Sequence, residues 1–568
     1  MEKRALIALA LSLLIFLIFT YFGQLGRQSP PTETPVAQPS QPEAPPAPEP
    51  KTAPPPRTEA RPSPPAAPRP GRPPKEVVVD TPLFRAVFME MGGSLKSFQL
   101  KNYRQSLPFE SLYNFHLGPV GFEVERYQDP TTTTGTKPKE LVYAGKGREL
   151  PLNLSWEGQN LTLSPSLIYE ASQPQLTLKS GQSAVLRFQA RSPEGVLLTK
   201  TYKFKGNSYG FDLEVKVANR TAQSLEGHLD LALTANYAGT AAAQSGTWGF
   251  LGSVNRGLEE IKPGKLKELK TFSGKVDWAG LDEGYFIAAL VPLTAPKAVL
   301  TLKEAPADFM TVTLRNPETL PPGQEAQAAF TVYFGPKDLN DLKAVNLELE
   351  LVVNFGWFDF LAKPFLYVLK FFQGYVHNYG WAIVILTFLT RLVFWWPNHK
   401  SYLSMKTMQK LQPKVAKIRE KYKDDREAMN KELMGLYRTF KVNPVAGCLP
   451  MALQLPVFIA LYNVLSYAIE LRHASFIPTL PFTDIVWLAD LSSKDPLLIS
   501  PLIMGASMVI QQRMTPSPGD PTQAKMMMFL HIVFTFLFLN FASGLVIYWL
   551  VNNILSIIQQ HFTNKYLA

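Results

Sequence analysis

One cation stands where a cation is costly. Arg391 interrupts the apolar run from Trp381 to Trp396, Trp381-Ala-Ile-Val-Ile-Leu-Thr-Phe-Leu-Thr-Arg391-Leu-Val-Phe-Trp-Trp396. A charged side chain at the centre of a membrane helix costs about 2.5–3.5 kcal/mol on insertion scales. It needs water, a partner charge or polar groups around it. Snorkelling is the competing account, because Pro397 lies only about 9 Å further along a helix that rises ~1.5 Å per residue. Polar residues elsewhere favour a wet groove. Thr387 lies one turn before Arg391 on the same face. Gln454 sits in Leu453-Gln-Leu-Pro456, and Tyr548, Asn552 and Asn553 fall in the last apolar run, with Ser507, Gln511 and Gln512 near the end of another. Apart from Glu470 at the far end of one of them, these runs contain no Asp or Glu, so none offers Arg391 an intramembrane partner. Ion pumping would want a carboxylate relay, whereas a hydrated positive groove would attract a polar or acidic peptide.

The elements that must hold these residues are apolar spans. Residues 380–396, 444–471, 496–511, 527–541 and 545–560 read as five of them, some short and interrupted by Pro or Gly. A sixth is Ala5–Phe22, which follows Glu2, Lys3 and Arg4. At ~1.5 Å per residue its eighteen positions reach close to the roughly 30 Å of a hydrocarbon core. Tyr21-Phe22-Gly23-Gln24 offers no small-x-small cleavage site, so residues 1–28 are expected to be an uncleaved transmembrane anchor. Residues 403–443 hold eleven Lys or Arg and the next connection, 472–495, holds two. By the positive-inside rule both termini are then cytoplasmic, and the segment between the first two spans lies across the membrane. The same bias accounts for the net charge of +11 without DNA or other nucleic acid as a partner.

Between the anchor and the other spans the pattern changes twice. Residues 29–74 contain 19 prolines in 46 positions and no aromatic residue, so 29–75 is expected to be a disordered tether. Residues 76–350 carry short runs of period two, such as Leu83-Phe-Arg-Ala-Val-Phe88 and Phe211-Asp-Leu-Glu-Val-Lys-Val217. They predict one large antiparallel sandwich. No Ser/His/Asp or paired-carboxylate grouping stands out, and the single cysteine, Cys448, excludes an internal disulfide. No metal site or cofactor is expected, and the chain reads as a non-enzyme.

Two amphipathic segments belong to the 351–568 region. Residues 355–373 place Asp359, Lys363, Lys370 and Gln373 on one face, as an interfacial helix on the membrane would. Residues 401–443 read as a cytoplasmic helical hairpin turning at Lys423-Asp424-Asp425, with a basic face that could meet nascent chains, lipid headgroups or a ribosome. Met504, Met508, Met514 and Met526-Met527-Met528 suit contact with varied apolar partners.

The chain resembles the YidC membrane protein insertases of Gram-negative bacteria. Leu386-Thr-Phe-Leu-Thr-Arg391, Met408-Gln-Lys-Leu-Gln-Pro413, Gln454-Leu-Pro456, Leu471-Arg-His-Ala474 and Ser543-Gly544-Leu545-Val546-Ile547-Tyr548 carry the resemblance. It implies a five-helix insertase core around a hydrophilic groove, beside a periplasmic β-supersandwich of the sugar-mutarotase type. It also implies groove positions at Arg391, Thr387 and Gln454. Its partners would be nascent membrane proteins and the Sec translocase, with chaperone activity in folding. Trp549 stands where a second tyrosine is common, so contacts there would be stacking. The chain lacks a long basic tail after Asn564, which puts ribosome binding on the hairpin. The expected architecture is a multidomain inner-membrane protein, with six transmembrane helices and a large all-β periplasmic domain. The alternative is a solute transporter or channel with an external carbohydrate-binding domain, against which the missing carboxylate counts.

Overall fold

The computed structural model describes residues 73–568, except 118–119, 128–136, 143–148, 159–160, 164, 237–247, 267, 295–297, 306–308, 346–347, 441, 443–448, 515–520 and 567–568. The expected anchor 1–28, almost all of the Pro-rich linker, Pro444 and Cys448 lie outside the described residues.

Alternating apolar residues in the first half pair into three sheets. Nine strands run from Gly257–Ile261 through Trp248–Val254, Val276–Glu283, Phe286–Pro292, Glu325–Pro336, Gly210–Asn219, Val196–Lys205 and Ser183–Arg191 to Glu170–Ala171. A six-stranded sheet is centred on Phe309–Leu320 and Leu225–Asn236, which pair antiparallel with Leu231 opposite Leu314. The third sheet has five strands and begins the domain with Glu76–Asp80. One pairing departs from the antiparallel expectation: Glu76–Asp80 runs parallel to Gln175–Thr177. Aromatic rings join the layers. Phe98 stacks on Phe84 at 4.4 Å between ring centroids and meets Phe334 of the large sheet at 5.2 Å. The run Leu150–Leu152 is not part of a strand, because Leu152 takes a left-handed φ of 63° and pairing starts at Asn153.

After the sheets come helices, labelled here in chain order: α1 Leu339–Val345, α2 Asp359–Val376, α3 Tyr379–Val393, α4 Trp395–Lys410, α5 Gln412–Lys421, α6 Arg426–Thr439, α7 Leu449–Tyr467, α8 Ile499–Met514, α9 Pro521–Phe538 and α10 Ser543–Tyr566. Among the described residues no single helix is both long and apolar enough to cross a membrane. The α3–α4 pair, bent by 61°, reaches that length together. The expected span 380–396 therefore breaks at Phe394. Pro397, in the first turn of α4, has no N–H to offer Val393 O and tolerates only a helix start.

Other ends move for local reasons. The expected span beginning at 496 becomes helical only at Ile499. Fully buried Asp495 accepts from Leu497 N at 2.9 Å and Ser500 N at 2.7 Å, and Leu498 takes a φ of 58°. The expected two-helix hairpin over 401–443 has three helices, the last capped by Asp425, which accepts from Glu427 N and Ala428 N. The α2 helix buries Ala362, Leu366 and Leu369 and exposes Phe360, Phe371 and Tyr375. Lys370, read as part of its polar face, instead bonds Asp338 at 2.8 Å and Glu470 at 2.9 Å, and so fastens the sheets to the helices.

Close helix approach needs a small residue at one point. A Cβ on Gly505 of α8 would stand 2.4 Å from Thr535 Oγ1 of α9. Gly505→Ala is expected to cost about 1–3 kcal/mol by overpacking, read as a lower unfolding temperature of the reconstituted chain.

Candidate functional site

Three helices converge on the polar residues. In α10, Tyr548, Asn552 and Ser556 recur at i, i+4 and i+8 and so share a face. Arg391 of α3 donates from Nη2 to Ser556 Oγ at 2.7 Å, and Ser556 Oγ donates to Asn552 O at 2.7 Å. Gln454 of α7 donates from Nε2 to the Tyr548 hydroxyl. Arg391 and Gln454 thus attach to the same face of α10 about two turns apart. Asn553, on the neighbouring face, donates to Ser507 of α8 at 3.0 Å.

Arg391 is incompletely satisfied. Its guanidinium carries five N–H donors. Nε is buried without a hydrogen-bond partner, and among the described residues no carboxylate pairs with the side chain. A half-buried charge with an enclosed, unpaired Nε and a neutral hydroxyl for company is a site that wants water or an acceptor. Its Nη2 bonds Ser556, a buried residue of α10.

The remaining sequence candidates sit differently. Thr387 is fully buried and donates back to Ile383 O at 2.7 Å, so its hydroxyl serves its own helix. Trp549 points away from the polar face. Its ring lies 5.1 Å from Phe458 and 5.3 Å from Phe538, edge-on to the first, and its indole N–H is buried without a partner. Ser556 was not among the candidates, although its spacing of four from Asn552 was readable. Tyr548→Phe deletes the hydroxyl that Gln454 holds. It is expected to cost about 1 kcal/mol, the net worth of such a bond, as a shift in thermal unfolding that Gln454→Leu would not add to.

The outer surface of the same helices is apolar. Phe388 and Leu392 of α3, Leu455 of α7, Leu502 and Ile503 of α8, Phe529 and Phe536 of α9 and Ile554 and Ile558 of α10 are exposed. The polar cluster is thus a local feature of an otherwise apolar interior, which includes Leu386, Leu461, Val464 and Leu545, and large apolar side chains also face outward on all these helices. Among the described residues no grouping of His, Cys, Asp or Glu could hold a metal ion.

Comparison with known proteins agrees with this division. The model for the 60Kd inner membrane protein family matches residues 371–568, and that for the YidC periplasmic domain matches residues 120–368. Membrane protein insertase YidC of Syntrophus aciditrophicus is 41% identical over 581 residues, covering 100% of both chains. The protein of the same name from Geobacter metallireducens is 41% identical, covering 100% of this chain and 99% of the other. A crystal structure of an active YidC insertase covers 87% of this chain and 93% of its own at 18% identity, with a TM-score of 0.35, too loose to carry an argument. The chain is therefore an inner-membrane protein with a periplasmic domain. It belongs to the YidC family of membrane protein insertases.

Proposed function

We propose that this chain inserts other proteins into the inner membrane, and helps them fold, without a chemical reaction. The observation that carries the reading is Arg391: half-buried, with its enclosed Nε lacking an acceptor, and held by Ser556 in a bundle whose outer faces are apolar. A hydrated groove along the Tyr548–Ser556 face shortens the apolar path an incoming segment must cross. Arg391 attracts its polar or acidic part, Gln454 and Tyr548 supply further polar contacts, and Thr387 and Trp549 form packed walls. The apolar span of the substrate then partitions into lipid, which supplies the driving force.

The finer topology belongs to the same proposal. Five core helices and the N-terminal anchor cross the membrane, with α3–α4 as a bent crossing, both termini in the cytoplasm and α2 lying on the far surface. The basic segment around α5 and α6 faces nascent chains, lipid headgroups and a ribosome, and the Sec translocase is a partner for larger substrates. Photocrosslinking of a stalled nascent chain from positions 387, 391, 454 and 548 tests the groove. Adducts should cluster at 391, 454 and 548. Adducts confined to outward positions such as Phe536 would sink the reading.

A further inference from the structure

The strands Phe109–Leu117 and Val120–Tyr127 form a two-stranded ribbon that joins none of the three large sheets. An isolated hairpin is marginal in water at best and needs cover on an apolar face. Beyond a bulge between Ser111 and Tyr113, the register puts Tyr113 opposite Val124 and Phe115 opposite Phe122 on one face. The other face carries Asn114 opposite Glu123, and His116. Tyr113 is 55% and Phe115 43% exposed, and Leu112 at the bulge is 50% exposed. On that face Phe122 lies 5.6–5.8 Å from the rings of Phe115 and Tyr113 and is half-buried, while Tyr113 and Phe115 themselves stay exposed.

What fixes the ribbon in place also says what it meets. It is fastened to the connection between α7 and α8. Lys494 bonds Glu123 at 3.1 Å, Glu123 N donates to Pro496 O at 2.8 Å, and Arg126 bridges to Ile485. Near the end of that connection lies Asp495, whose carboxylate starts helix α8. The connection also carries Phe482, fully exposed at the tip of the Ile477–Thr479 and Val486–Leu488 hairpin. With α8 crossing the membrane as proposed above, a ribbon tied at its head stands at the level where that helix leaves the bilayer.

We propose that the apolar face of this ribbon docks on the lipid surface, with Tyr113 and Phe115 at the headgroup–acyl boundary. The inference rests on the membrane placement of the helices proposed above. Tyr113 suits that boundary because its ring is apolar and its hydroxyl polar, and Phe115 beside it adds purely apolar area for the acyl side. Apolar burial, not charge, drives the contact: Glu110, Glu123 and Glu125 make the ribbon acidic apart from Arg126 and His116. Salt should therefore leave it in place.

The test uses the full chain carrying Cys448→Ser and one new cysteine, labelled with an environment-sensitive fluorophore and reconstituted in vesicles of zwitterionic and anionic lipid. Phe115→Cys should give emission quenched by acyl-chain spin labels and shielded from aqueous iodide, at low salt and at 1 M salt. Asn114→Cys, on the opposite face, should show the reverse. Phe536→Cys on α9 reports the membrane placement of the bundle. Quenching at 536 without quenching at 115 overturns the ribbon proposal alone. No lipid quenching at either overturns the membrane placement with it. Iodide shielding at 115 without lipid quenching also overturns the proposal, and identifies a protein or a second copy as the occupant.

Discussion

Arg391→Ala should lower the insertion rate of single-span substrates with a polar or acidic leading segment by about tenfold or more, while substrates with short apolar leaders change little. A hydrogen bond to a charged group is worth about 1.5–3 kcal/mol, and each 1.4 kcal/mol is a factor of ten. The fold should survive, which makes the result readable. Ser556 Oγ keeps its own acceptor, Asn552 O, when the guanidinium is gone, and the bundle sheds a half-buried charge whose enclosed Nε has no partner. Arg391→Lys separates charge from shape. Lysine keeps the charge but loses the planar fork that can hold Ser556 and an incoming carboxylate together. Its rate should fall between the two for acidic leaders. Protease protection of reconstituted substrates measures all three, and an alanine variant within twofold of wild type on acidic leaders would remove Arg391 from the mechanism.

Much of this site was legible because polar residues in apolar runs are rare enough to count. Arg391, Gln454 and Tyr548 announced themselves by type. What type could not say was direction. Thr387 is as polar as any of them, yet its hydroxyl is turned back on Ile383 O, a choice made by a rotamer. Trp549 follows Tyr548 in sequence, but one residue is about 100° around a helix of 3.6 residues per turn. Its ring therefore enters the cluster of Phe458 and Phe538. Ends were read from the limits of apolar runs, whereas Asp495 and Pro397 set the actual helix starts by hydrogen bonding. Long-range pairing was the least visible. Lys370 looked like a solvated face until Asp338 and Glu470, 32 and 100 residues away, came together on it. The parallel pairing of Glu76–Asp80 with Gln175–Thr177 was hidden for the same reason.

The second large effect belongs to Lys200, a fully buried amine on an interior strand of the nine-stranded sheet. Its Nζ donates to Gly92 O and Leu152 O, both at 2.7 Å, with Gly93 O further away at 3.4 Å and the Tyr169 ring centroid at 5.4 Å. Burial pushes its pKa down from 10.5 to about 7. Between those values the unfolded chain holds a proton that the folded chain has released, so stability rises with pH. At about 1.4 kcal/mol per pH unit the gain from pH 7 to pH 10 is on the order of 4 kcal/mol. Lys200→Met should abolish that gain. At pH 10 it removes two good hydrogen bonds and leaves Gly92 O and Leu152 O bare, at about 1–3 kcal/mol each. Gly93 O keeps the Tyr202 hydroxyl at 2.8 Å. Near pH 7 the relief of burying a half-charged amine offsets this loss, so the variant should be close to neutral there. Denaturant unfolding of the reconstituted chain, followed through the β-sheet signal at both pH values, reads the difference. A variant equally destabilised at pH 7 and pH 10 would mean that Lys200 stays charged throughout, held as an ammonium by its ring of carbonyls.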